Sequence, residues 1–154
     1  GKEAAKAQEQ AALNGGAIRD KQARIAAELP QLREHVRRGR FADAVAMGNR
    51  LLGQGDTTGN QLVTIQRELG TAYVALGSDT MAVAAFAQAL VQQPDLELDT
   101  ARTSPKVLAQ FQVARQQFQK ERDAAAQREA QRSPEPLVGS DTPAPTPAAP
   151  PAAP

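Results

Sequence analysis

The sequence contains no cysteine, no tryptophan and a single histidine, His35. Without cysteine there can be no disulfide, no thiolate nucleophile and no cysteine-ligated zinc. One histidine and no cysteine leave neither a Ser/His nor a Cys/His catalytic arrangement to build, so no enzymatic constellation and no cofactor or metal set is expected. Four Phe and one Tyr make aromatics only 3% of the 154 residues, too few for a base-stacking surface. Nor is there bulk charge of one sign. Eighteen basic against 17 acidic residues leave a formal charge of +1, which gives no general attraction to nucleic acid or to an anionic membrane. No apolar run reaches the ~18 residues that a membrane span needs. The start, Gly1-Lys2-Glu3, does not read as a signal peptide and fits a mature or truncated chain.

What the chain has is Ala, Gln, Glu, Arg and Leu, all good helix formers, within a composition that is 41% hydrophobic. An all-α fold of closely packed helices follows. Residues 1–16 are Ala/Gln/Lys/Glu-rich and end at Asn14-Gly15-Gly16, which predicts a frayed helical or flexible arm. A helical pattern then carries Ile18, Ile25, Leu29, Leu32 and Val36. Pro30 interrupts it, at a cost of ~3 kcal/mol inside a helix. Because Leu29 would be a poor N-cap, a kinked helix is expected rather than a new one starting there. Gly39-Arg40 marks a turn, and Phe41 to Leu52 the next helix. Gly53 to Gly59 reads as a flexible loop. Leu62, Ile65, Leu69, Ala72, Tyr73 and Leu76 recur at helical spacing, and Gly77 closes that helix. Its partner runs from Met81 to Val91 and ends at Pro94. Ser104-Pro105 is a helix start, with Val107, Leu108, Phe111, Ala114 and Phe118 on the apolar face. Beyond Phe118 the charged run Lys120-Glu121-Arg122-Asp123 should face solvent or a partner, and it lacks the heptad seam of a strong coiled coil. From Ser133 the chain is Pro/Ala-rich, the composition of a disordered tail.

Within this pattern, Leu69-Gly70, Tyr73, Gly77, Ala82, Phe86, Ala89 and Pro94 stand at spacings that resemble the tetratricopeptide repeat, a paired-helix unit of about 34 residues. The resemblance covers residues 63–96, departing at Gln66, where the family often has Trp. Gly39-Arg40-Phe41-Ala42-Asp43-Ala44 echoes Gly77-Ser78-Asp79-Thr80-Met81-Ala82 and extends it to a unit over 25–58. There Gly48 falls where Phe86 stands, so small and large positions are partly exchanged. The implied fold is a short helix-turn-helix solenoid over 17–132 with a long C-terminal helix over 105–132 and a disordered tail over 133–154. The segment from Pro94 through Val107 resembles the end of such modules in envelope, motility or secretion assemblies of high-GC Gram-negative bacteria, the myxobacterial type among them. A periplasmic or envelope setting is thereby slightly favoured over the cytoplasm.

The resemblance implies a non-catalytic scaffold or adaptor whose concave groove is lined by the first helix of each pair. Those positions hold Leu29, Arg33, Val36 and Arg37 from one unit and Thr64, Arg67, Thr71 and Val74 from the other. Three arginines among apolar neighbours suit an acidic, partly hydrophobic protein segment. The family's carboxylate-gripping groove, which needs Lys and Asn, is disfavoured, because Leu29, Arg33 and Glu68 stand at those positions. Two other readings compete. One is a tethered structural module docking through the long C-terminal helix; the other, nucleic-acid binding by the basic cluster Arg33, Arg37, Arg38 and Arg40, is opposed by the balanced charge. Gly53-x-Gly55-x-x-x-Gly59 has the wrong spacing for a dinucleotide loop, and Asp56 lacks the carboxylates of a calcium site.

Overall fold

A computed structural model of the protein describes residues 1–132. Among them the chain forms α-helices and no strand: α1 (Lys2–Arg37), α2 (Phe41–Gly53), α3 (Gly59–Ala75), α4 (Asp79–Gln92) and α5 (Pro105–Arg132). The all-α class expected from composition, and the solenoid-like arrangement with a long C-terminal helix that the resemblance implied, are what form. The tail expected to be disordered, 133–154, lies outside the described residues.

The two tight turns share one construction. Gly39 and Gly77 take positive φ of 76° and 79°, a region that a Cβ disfavours. The residue after each donates its N–H five residues back: Arg40 to the His35 carbonyl at 2.7 Å and Ser78 to the Tyr73 carbonyl at 2.8 Å. Ala44 and Ala82, five residues beyond each glycine, are fully buried. The echo between the two sequence segments is therefore an equivalence of backbone and of packing.

Residues 1–119 form one compact unit. Its core lies in two layers. Ile25 and Leu32 of α1 meet Ala44, Met47 and Leu51 of α2 and Ile65, Leu69 and Ala72 of α3. Val63 and Val74, also on α3, meet Phe86 and Leu90 of α4 and Val107, Phe111 and Ala114 of α5. α3 thus serves both layers, with opposite faces buried. In the second unit, residues 120–132 are helical and exposed except for half-buried Ala124.

Two local expectations change. The helix does not break at Asn14-Gly15-Gly16; α1 is continuous from Lys2, although its only buried residues are Ile25 and Leu32. Pro30 also lies inside α1. It is exposed, as is Ala26, whose carbonyl loses the N–H that proline lacks, so water can satisfy that group. The Gly53–Gly59 segment, expected to be a flexible loop, is tied down. Lys21 Nζ reaches Asp56 Oδ2 at 3.0 Å and the Gln54 carbonyl at 3.1 Å, and Gln22 Nε2 donates to the Asp56 carbonyl at 2.8 Å. Thr58 then caps α3 in a reciprocal box with Gln61.

Candidate functional site

A groove of about 520 Å³ opens where the C-terminal end of α1 and the face of α3 approach the start of α5. Val36 and Arg37 enter it from the last turn of α1. Arg67, Thr71 and Val74, spaced by four and three, come from one stripe of α3. Thr71 Oγ1 donates back to the Arg67 carbonyl at 3.1 Å. Five of the eight residues expected to line a groove are thus brought together. Leu29 packs into the α1–α2–α3 core, Arg33 is exposed beside the groove, and Thr64 is half-buried on α3 away from it.

The other wall was not legible from repeat spacing. Leu98, Arg102 and Thr103 come from the segment between α4 and α5, and Lys106 and Val107 from the first turn of α5. That turn is fixed by Ser104, whose Oγ accepts from the Val107 N–H at 3.3 Å, ahead of Pro105. The Ser-Pro pair was the available signal: it showed that a helix starts here, but not that this start faces α3. Phe41, Ala75 and Leu98 join Val36, Val74 and Val107 in the apolar part of the lining.

Among the described residues four cationic side chains line the groove, Arg37, Arg67, Arg102 and Lys106, against one carboxylate, Glu68. They are not equally available. Arg37 holds Glu34 in a two-point contact, Nε to Oε2 at 2.8 Å and Nη2 to Oε1 at 2.6 Å. Arg38 reaches the same Glu34 carboxylate. Those hydrogen bonds hold the Glu34 pKa down at about 2 and push that of Arg37 up. Arg102 lies 3.7 Å from Asp99, both well exposed. Burial raises the Glu68 pKa, with Arg67 and Arg33 pulling the other way.

No family model, no curated protein and no solved structure matches the chain significantly. The site must be read from its own chemistry. Among the described residues no three His, Asp or Glu side chains gather as metal ligands, and no helix is long and apolar enough to cross a membrane. His35, the sole histidine, is not on the groove wall. Its Nδ1 is buried without a hydrogen-bond partner among the described residues.

Proposed function

We propose that the chain is a non-catalytic adaptor of the tetratricopeptide type, and that the groove between α1, α3 and the start of α5 holds an acidic, partly apolar segment of a partner protein. The observation that carries this reading is the lining itself: among the described residues, four cationic side chains over an apolar strip, with a single carboxylate among them. Arginine suits this task because its planar fork meets a carboxylate at two points. Apolar neighbours such as Val74 and Leu98 would hold the side chains between the acids. The matched turns at Gly39 and Gly77 support the repeat assignment, since two equivalent units would present corresponding faces to one groove. An assembly of the bacterial envelope or motility machinery remains the setting that the sequence resemblance suggests.

The reading is tested with the full chain and a fluorescent peptide in which Asp alternates with Leu, against its Asn-containing counterpart. Tighter binding of the acidic peptide, lost on Arg33→Glu, Arg37→Glu and Arg67→Glu together, is the expected result. Equal binding of both peptides, or binding that survives the charge reversals, would place any partner elsewhere on the molecule.

A further inference from the structure

Glu68 is out of place in a groove suited to acids. It is half-buried on the groove wall, and among the described residues it makes no hydrogen bond and no ion pair. The charged groups around it are Arg67 from its own helix and Arg33 from α1, which act on its carboxylate, and Arg37 from α1, Arg102 from the segment before α5 and Lys106 from α5, which line the same groove. Arg33 and Arg67 act on it through space only. A half-buried carboxylate without a donor is unfavourable as an anion. An occupant that brings its own anion into the same 520 Å³ would set two like charges side by side, and one of the two then holds a proton more strongly.

On the reading of the groove as a site for acidic segments, we infer that Glu68, the lone carboxylate among the described residues of this cationic groove, takes up a proton when an anionic segment docks, so that occupancy is coupled to pH. The neutral carboxyl becomes a donor towards the incoming anion, and Arg67 and Arg33 are left to serve the occupant. Burial already moves the Glu68 pKa in the required direction. Glu68 thereby sets the condition under which the groove accepts acids rather than adding to their attraction.

The test is calorimetric titration of the full chain with a peptide alternating cysteic acid and leucine, whose sulfonates stay ionised throughout, between about pH 7.5 and 5.5, in two buffers of different ionisation enthalpy. Affinity should rise as pH falls, by up to about tenfold per pH unit for one linked proton, with matching proton uptake. Glu68→Gln should bind at the higher pH at least as tightly as the wild type does at the lower one, and lose the slope. A wild-type affinity flat in pH would overturn the proton link while leaving the groove reading standing. So would a slope retained in Glu68→Gln, or weaker binding by that variant, which would mark Glu68 as an ionised acceptor for a donor on the occupant. No binding by either protein at any pH would remove the groove reading, and this inference with it.

Discussion

A Cβ placed on Gly70 would lie 2.5 Å from Cε1 of Phe86, so the ring of α4 sits directly on the backbone of α3. Phe86 cannot retreat, because it is fully buried and meets Phe111 edge-on at 5.5 Å and 87°. The neighbouring residue reverses the relationship on the opposite side: Leu69 fills the space over Gly48 of α2, where a Cβ would come within 2.6 Å. Consecutive residues of α3 thus act as hole and knob, and that alternation lets one helix serve two core layers.

Gly70→Ala should therefore destabilise the protein by overpacking, at about 1–3 kcal/mol. In a chain of this length thermal melting should fall by about 2–4 °C for each kcal/mol. Phe86→Leu, which by itself leaves a cavity, should cost less in the Gly70→Ala background than alone, a coupling that a double-mutant cycle measures. Additive losses would mean that the two residues do not constrain each other.

Arg115 is expected to matter more than a half-buried surface arginine usually does. Its guanidinium donates to the carbonyl of buried Leu96 and lies 4.9 Å from the centroid of Phe111. A charge-assisted hydrogen bond and a cation–π contact together make a loss of roughly 2 kcal/mol for Arg115→Ala reasonable. Arg115→Lys should recover only part, since an ammonium cannot reach a carbonyl and cover a ring with the same plane. Urea denaturation with an unchanged slope is the measurement. A change within about 0.5 kcal/mol would show the contact to be incidental.

Sequence spacing was enough for the helical class, the α3–α4 pair and the two glycine turns, because each of these depends on residues close in the chain. Gly39, Gly77, Ala44 and Ala82 could be matched by eye for that reason. The helix running on through Gly15 and Gly16 was not legible, since local propensity argued against it, whereas its continuation through Pro30 was, because Leu29 makes a poor N-cap for a new helix. Half of the groove was legible as well, from α1 and α3. Arg102 and Lys106 were not, because their approach to Arg37 and Arg67 depends on where α5 packs, and no repeat spacing encodes that. Nor did spacing reveal that Glu34 engages Arg37, although the two lie only three residues apart. An i,i+3 pair on a helix surface is ordinary, and only the structure places this one at a groove.

Gln61 gives an expectation for the tied-down loop. Its Oε1 accepts from the Thr58 N–H at 3.0 Å, while its Nε2 donates to the Gln22 carbonyl at 2.8 Å, so it fastens α3 to α1. Gln61→Ala should cost about 1–2 kcal/mol. Gln61→Glu preserves the acceptor but loses the donor, and places a carboxylate against the Gln22 carbonyl. Its protonated form regains a donor, so the folded protein holds that proton more tightly than the unfolded chain does. The stability of this variant relative to wild type should therefore rise as pH falls, followed by melting at several pH values. A pH-independent deficit would mean that the Gln22 contact carries no weight.

The Glu34 carboxylate decides how available Arg37 is to a partner. Its pKa, held at about 2 by hydrogen bonds from Arg37 and Arg38, lies below the ordinary 4.5. The folded state therefore binds this proton more weakly than the unfolded chain does. The resulting stabilisation is present above pH 4.5 and is lost as the pH falls through about 2. Carboxyl-carbon NMR should place the Glu34 midpoint near 2 in the wild type and return it towards 4.5 when both arginines are changed to Ala. An acidic occupant must compete with Glu34 for the Arg37 fork, so Glu34→Gln should tighten binding of the Asp/Leu peptide while leaving its dependence on Arg67 intact. A wild-type midpoint at the ordinary value would mean that solvent breaks the pair. In that case Arg37 is free without the substitution, and Glu34→Gln should leave affinity unchanged.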